Sequence, residues 1–480
     1  MTSGSSTHGL TSELADLAVG WEHPVPSAAH DLVERAVIDT VGVALAAAND
    51  PAVDVLLEVM TEDLSTGPST VWVRPIRTGS RQAALLNGVS AHALDFDDVD
   101  EAVIGHPSAV LVPAVLAEGE ALGVSGKEIV TAYWAGLVVA RAAGRALDIN
   151  SHYGAGWHST GTLGALAAAA AGARLRELSH TQTRHALGIA GSLAAGSRQN
   201  FGTMTKPLHA GVAAANGLLA SKLAGSGFSA DPDQLEGPFG FLALHHAAPG
   251  TRRATQAELA QSSLNVKLHA CCYYIHAAAD AMLELGAAGV SPADVTRITV
   301  TGPPNGFDAL IHHQPHTGLE GKFSMEYAMA ACLLDGALGF ASFTDEAVER
   351  DEAQELLRKV ELRIEELPPI GPAEWDWGYA VVAVTLNDGR RLENRVDKPR
   401  GNALRPLTDH ELRMKFDDCL VHGGFLPSAD LFERLRSLHE VGSIRDAVQG
   451  ITQLTGAAGT VRPDSEHERV LSDRERVAQR

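Results

Sequence analysis

The sequence predicts a mainly α-helical protein with a smaller α+β part. Three observations point there. Helical apolar periodicity runs almost unbroken from Ser27 to about Ala224, and strand-like runs of β-branched residues become frequent only after about Asn265. Small side chains also dominate, with 47 glycines against an aromatic share of 5%, as closely packed helices require.

Ser27 precedes Leu32, Ala36, Val37, Thr40 and Val41 at helical spacing, a capped amphipathic pattern. Further helical stretches follow at Gln82–Leu94, Ser108–Leu122, Gly126–Ala146, Gly161–Ala173, Thr181–Ala194 and Ala210–Leu223, interrupted only by a short strand at Thr70–Val73. Val295–Val300 then alternates threonine with β-branched residues, and Val360–Ile364 is a shorter strand. Ala380–Leu386 and Arg390–Val396 flank the Asn387-Asp388-Gly389 turn as a hairpin. Helical periodicity returns at Leu407–Cys419, Ser428–Leu438 and Ser443–Ile451. The organisation expected is a helical domain of residues 10–266 completed by 402–455, an α+β domain over 267–401, and a frayed, charged tail over 456–480.

The 480 residues carry 38 basic and 59 acidic side chains, for a net charge of −21. That balance offers no footprint for nucleic acid or anionic membranes as partners. Four cysteines, two of them adjacent (Cys271 and Cys272), make no disulfide framework and suggest a reducing, cytoplasmic compartment. Residues 1–10 show no basic stretch followed by an apolar run, so no signal peptide is expected. The most apolar stretch, Gly161–Ala173, is too short and alanine-rich to span a bilayer.

Five clusters hold the residues suited to chemistry. The first is His92-Ala-Leu-Asp95-Phe-Asp97-Asp98-Val-Asp100-Glu101, followed by His106-Pro-Ser. Carboxylates at the end of an apolar helix are costly to desolvate unless they bind something or work as acid or base; a solvated helix end fits equally well. A magnesium–diphosphate site would need a second metal-binding motif, and none is visible. The second is Gly154-Ala-Gly156-Trp157-His158-Ser-Thr160-Gly161, whose glycines follow a helix where a dinucleotide fold requires a strand. His158 lies near the positive end of the next helix, as a ligand group or a packed cap. In the third, Gly202-Thr-Met-Thr205-Lys206-Pro207-Leu208-His209, the proline fixes a helix start and puts Lys206 on a rigid connection. The fourth, Lys267-Leu-His269-Ala-Cys271-Cys272-Tyr-Tyr274-Ile-His276, lacks the second Cys-x-x-Cys that a zinc site needs. The fifth, Gly321-Lys322-Phe-Ser324-Met-Glu326-Tyr327, is too short for a Walker loop.

Taken in order, Asp95, His106, His158, Lys206, Lys267 and Tyr327 resemble the motif series of the MmgE/PrpD family, over about Leu14 to Gly450. That family includes 2-methylcitrate dehydratase, cis-aconitate decarboxylase and iminodisuccinate epimerase. The resemblance implies a large helical domain with a smaller α+β lid, a homodimer, and no metal or organic cofactor. It makes those six residues the catalytic set, with His209, His269, Tyr274, His276 and Ser324 expected at the substrate. Val99 stands where decarboxylase-like members place threonine, and Tyr273 where many dehydratase-like members have arginine; both remove a polar contact to substrate carboxylates.

All three family reactions make or break a bond α to a carboxylate, and cations must be preplaced where its oxygens gain charge. Lys206 and Lys267 suit that role. His106 or His158 suits proton transfer near neutrality, Tyr327 suits protonation of a leaving hydroxyl, and Asp95 would hold a lysine or histidine in the right state. The expected function is a cofactor-independent dehydratase acting on a small di- or tricarboxylate such as an alkylcitrate. An epimerase or decarboxylase using the same pocket is the alternative, and a non-catalytic helical scaffold is third.

Overall fold

The computed structural model describes residues 9–20, 25–62, 64–245, 259, 264–376 and 378–457. Its first half is built of ten helices that matter here: α1 Leu10–Val19, α2 Ser27–Ala46, α3 Pro51–Met60, α4 Ser80–Ala93, α5 Ser108–Leu122, α6 Gly126–Leu147, α7 Ile149–Gly154, α8 Ser159–Leu175, α9 His180–Leu193 and α10 Thr205–Gly225. Helix α8 is the axis of this body. Every residue of it except Arg174 is buried, and α5, α6, α9 and α10 pack around it. Alanine and glycine make this possible, because a helix buried on all sides must be approached closely from all sides. A Cβ on Gly217 of α10 would sit 2.4 Å from the Ala168 Cβ of α8, and one on Gly211 would sit 2.3 Å from the Leu85 carbonyl oxygen of α4.

The expected helices appear, most with ends shifted by a residue or two. Helix α10 starts earlier than its apolar periodicity, at Thr205, which places Lys206 and Pro207 in its first turn. Helices α1, α3 and α7 were not expected. Each is ten residues or shorter, and α3 depends on Asp50, whose carboxylate accepts from Ala52 N–H ahead of Pro51. The first half is not wholly helical. Strands β1 Ser69–Val71 and β2 Ile76–Thr78 form a hairpin, and β3 Val99–Asp100 pairs with β4 Leu264–Asn265.

Beyond β4 lies a four-stranded sheet in the order β6-β5-β7-β8, from β5 Val295–Gly302, β6 Val360–Ile364, β7 Ala380–Leu386 and β8 Arg391–Val396. Strands β5 and β6 are parallel, with Ile298 opposite Val360; the other pairings are antiparallel, and the hairpin sets Ala383 opposite Glu393. Helix His276–Ala287 packs on β7 and β8. The chain then returns to the helical body: helix Asp409–His422 lies on α2, with the Phe416 ring where a Cβ on Gly42 would fall. Of the expected tail, residues 456–457 close the helix Ile444–Ala457, and the rest lies outside the described residues. No single helix among the described residues is long and apolar enough to cross a membrane; α2 with its following turn and α3 pass together on composition but are bent by 81°.

The close approach at Gly217 sets a test. Gly217→Val should lower the unfolding free energy by about 1–3 kcal/mol through overpacking against α8. Gly154→Ala, whose added Cβ meets nothing within 4 Å, should leave it unchanged. Urea midpoints at constant slope check both.

Candidate active site

The acidic run after α4 is buried, so it is not a solvated helix end. Each carboxylate has its own partners. Asp95 meets two lysines, Asp97 two histidines and Asp100 the guanidinium of Arg141, at 2.6 and 3.0 Å. Asp98 accepts from Ser108 Oγ and N–H, and burial followed by the nearby Asp39 charge pushes its pKa well up. The backbone turns sharply at Asp95, whose φ of +51° lies in the left-handed region that aspartate tolerates better than most residues.

Asp95 Oδ1 accepts from Lys206 Nζ at 2.8 Å and from Lys267 Nζ at 2.7 Å, and Lys267 also donates to the Asp95 carbonyl at 2.6 Å. The three side chains are nearly or wholly sealed, with residue exposures of 3%, 3% and 0%. Burial alone would raise the Asp95 pKa; the two ammoniums outweigh it and hold the carboxyl well below the usual range. Burial likewise opposes charge on Lys267, and the Asp95 and Asp97 carboxylates overcome it and raise its pKa. Lys206 comes from the first turn of α10, and its Nζ lies 5.4 and 5.3 Å from the Phe201 and Phe323 ring centroids.

Four imidazoles stand over this knot. His106 offers Nδ1 to the Asp98 carbonyl at 2.9 Å and to Asp97 Oδ2 at 3.2 Å, which assigns its proton to Nδ1; its Nε2 lies 3.7 Å from Asp95 Oδ1. His92 Nδ1 faces both Asp97 oxygens at 2.9 and 3.0 Å. His158 precedes α8 and its N–H donates to the Gly196 carbonyl; its Nδ1 lies 3.0 Å from His209 Nδ1, and its ring stacks 5.8 Å from that of His92. A Cβ on Gly196, where φ is +137°, would approach both His158 and His209, so glycine lets the loop pass beneath the two rings. Burial comes first in lowering the pKa of all four. For His92, burial and the Lys206 charge outweigh the facing Asp97 and bring it to about 3. His158 falls well below the usual value, under burial and then Lys206. His106 and His209 fall as well, with the same lysine contributing. Among the described residues, three buried atoms on this set have no partner: Asp95 Oδ2, His92 Nε2 and His158 Nε2. Buried polar atoms left open in this way are aimed at what a ligand brings.

Ligand atoms of His92, Asp95, Asp97 and His106 lie within 4.8 Å of one another, which a metal ion would also require. One Asp95 oxygen and the Nδ1 atoms of both rings are already engaged, however. Asp95 Oδ1 holds two ammoniums, and both Nδ1 atoms are turned to Asp97. A divalent cation would sit against two lysine charges, so these residues fit an anion site better.

Five of the eleven expected residues are brought together here: Asp95, His106, His158, Lys206 and Lys267, with His209 behind His158 as a sixth. Tyr327 is placed differently. Its hydroxyl donates to the Ser342 carbonyl beside Arg350 and its ring meets Phe343, none of which belongs to the cluster. Ser324 accepts from Tyr327 N–H as the N-cap of helix Met325–Asp335. His269 pairs with Asp280 at 2.9 Å, and His276 packs against the His269 and Tyr273 rings. Asp280 also accepts from Arg400 N–H at 2.8 Å, so this group ties two distant segments together. These placements share a cause: motif proximity in sequence says nothing about which way a helix start turns its side chains. Tyr274 lines a cavity of about 330 Å³ with Tyr273, Val99, Ile104 and Met325, so both departures from the motif series face that space. His92 and Asp97 were missed as site residues, although the short loop that joins them to Asp95 was the available signal.

Comparison with known proteins identifies the family. The MmgE/PrpD N-terminal domain matches residues 12–253, and the MmgE/PrpD C-terminal domain matches residues 269–430. The chain is 31% identical over 403 residues to a cis-aconitate decarboxylase of Mus musculus, covering 80% of each chain. It is 30% identical over 401 residues to that of Homo sapiens, covering 80% of this chain and 82% of the other. It is also 30% identical over 372 residues to the cis-aconitate decarboxylase-like protein oryM of Aspergillus oryzae, covering 71% and 75%. Matched along most of its length by both domains, the chain belongs to the MmgE/PrpD family.

Proposed function

We propose that this protein is a cofactor-independent decarboxylase of an unsaturated tricarboxylate of the cis-aconitate kind. One observation carries the chemistry: two buried ammoniums share one carboxylate beneath imidazoles whose open nitrogens face no protein partner. The printed activity of the relatives favours carbon–carbon cleavage over the dehydration expected first. So does Tyr327, because the donor expected to protonate a leaving hydroxyl is engaged with Ser342. Decarboxylation has no hydroxyl to expel.

In such a substrate the departing carboxylate sits on a carbon next to a carbon–carbon double bond. Carbon dioxide leaves, and the pair of the broken bond becomes a new double bond. The old π pair moves to the far alkene carbon, beside a second carboxylate, and that carbon takes up one proton. The trianion and a proton thus give carbon dioxide and a dicarboxylate dianion. Negative charge grows on the second carboxylate during the step, and Lys206 and Lys267 are the preorganised cations for it. Asp95 keeps both charged and pointed inward. Burial and the lysine charges disfavour protonated imidazoles, which leaves the lysines as the proton donors, and His106 is the ring placed to relay one. The resemblance also supports reading residues 10–266 with 402–455 as one domain, 267–401 as a lid over the site, and the working unit as a homodimer.

Incubation with cis-aconitate and alkylcitrates in deuterated water tests the reaction. The expected product is lighter by one carbon dioxide and carries one carbon-bound deuterium by mass and proton NMR. A product lighter by one water would make the protein a dehydratase, and an isomer of unchanged formula with solvent deuterium would make it an epimerase. On the substrate so found, Lys206→Met and Lys267→Met should each lower kcat/KM by on the order of a hundredfold or more with folding still cooperative. Near-normal kinetics in both would place the pocket elsewhere.

The neutral imidazoles also set the acid stability. Their folded pKa values lie below the unfolded value, so the unfolded chain binds more protons as pH falls through about 6.5. Stability should therefore be fully present above that pH and decline below it, by up to about 1.4 kcal/mol per pH unit for each imidazole. His92, with a value of about 3, should contribute down to that pH. The depressed carboxylate of Asp95 adds its own loss only below about 4. Urea midpoints between pH 4 and 7 for the wild type and His92→Gln check this; the variant should show the shallower slope.

A further inference from the structure

We propose that Lys322 and Lys415, from two segments far apart in the chain, are positioning residues that clasp the backbone on either side of Asp95 and so aim its carboxylate at Lys206 and Lys267. Three consecutive carbonyls run through this turn, and each accepts from a different ammonium. Lys322 Nζ holds Leu94 O, Lys267 Nζ holds Asp95 O at 2.6 Å, and Lys415 Nζ holds Phe96 O at 2.9 Å. All three lysines are buried.

The turn needs such a clasp. Asp95 has a φ of +51°, a conformation costly for a residue with a side chain, and it persists only where surroundings over-determine it. Helix α4 ends at Ala93, so the carbonyls that follow have no helical partners. Left without donors, buried carbonyls would favour another path for the backbone.

The two added lysines are built differently. Lys415 lies on helix Asp409–His422, is neutralised by Asp39 at 2.5 Å, and rests 3.9 Å from the Phe96 ring centroid. Lys322 makes no ion pair among the described residues. Its ammonium has the Leu94 carbonyl and the face of Phe343, 5.5 Å away, and burial lowers its pKa to about 8. A buried charge kept without a carboxylate partner is expensive, and holding the turn is the return on it. The Lys322 carbonyl also accepts from Cys272 N–H at 3.0 Å, which joins its segment to the one that carries Lys267. Neither lysine has a part in the proposed reaction itself, since their ammoniums hold the Leu94 and Phe96 carbonyls.

This inference rests on the proposed site but not on the identity of the reaction. Lys322→Met and Lys415→Met, studied as full-length protein well below their melting temperatures, test it by two readouts. With wild-type turnover in hand, kcat should fall about tenfold to a hundredfold, the effect of misplacing a preorganised group by about an ångström, while KM stays within about threefold. Independently of turnover, NMR titration of protein carrying 13C-labelled lysine should show the Lys267 midpoint lowered in both variants, because Asp95 no longer faces it squarely. A purely structural role would lower the melting temperature and leave that midpoint unmoved or, with a neighbouring ammonium gone, raised, and either would overturn the proposal. Lys322→Gln and Lys415→Gln keep a neutral donor and serve where a methionine variant does not fold; they should show the same shifts in smaller measure, and an unmoved midpoint in them refutes the clasp equally. Wild type inert on every acid of the panel, yet with a shifted Lys267 midpoint in the variants, would count against the reaction and for the clasp.

Discussion

A carboxylate sealed from water with two ammoniums on one oxygen is the interaction on which the rest depends. Asp95, Lys206 and Lys267 come from the end of α4, the start of α10 and the segment after β4. None of the three charges is tolerable in that interior alone; the two ammoniums are matched by the Asp95 carboxylate and by that of Asp97 nearby. The helical body has to bring those segments to one point and hold them there. The alanine- and glycine-rich faces of α4, α8 and α10 do so by letting backbones approach to the limit of contact.

The electrostatic character of the site follows from those paired, buried charges. Burial comes first in lowering the pKa values of the surrounding imidazoles, and the lysine charges work in the same direction. Proton acceptors and proton donors are thereby separated by residue type: rings accept, ammoniums donate. In the proposed reaction a substrate with several carboxylates would draw on the same two cations for its binding and for its developing charge. A pocket of this kind serves several reactions that share a carboxylate-stabilised anion, and what is lost or gained at the anion depends on which proton donors face it. Tyr327, turned to Ser342, is not one of them.

The neighbouring carboxylates show how finely the same residue type is divided by its surroundings. Within six residues Asp95 is held ionised by lysines, Asp97 faces two imidazoles, Asp98 has its pKa pushed up by burial and Asp100 is matched by Arg141. Asp100 also lies on β3, whose pairing with β4 links the acidic loop to the segment that delivers Lys267. One short loop therefore carries an anchor for two lysines, a ring orienter, a buried carboxyl held by Ser108 and a strand contact.

By itself the sequence determined the helical body, the hairpin around Asn387-Asp388-Gly389 and the order of the site motifs. Periodicity and turn chemistry are local properties, and a run such as Ser108–Leu122 can bury its apolar residues in only one kind of element. It also pointed to Asp95, Lys206 and Lys267, because charged residues beside apolar helices need a reason to be there. The direction of each side chain was decided only by the tertiary structure. Tyr327 and Ser324 stand in the same short motif as Lys322, yet the helix start turns Ser324 into a cap and Tyr327 toward Ser342, and only Lys322 reaches the Asp95 turn. Lys415, more than three hundred residues beyond Asp95, has no local signal at all. Contacts between segments so far apart arise from packing, and packing is settled by the whole chain rather than by any stretch of it.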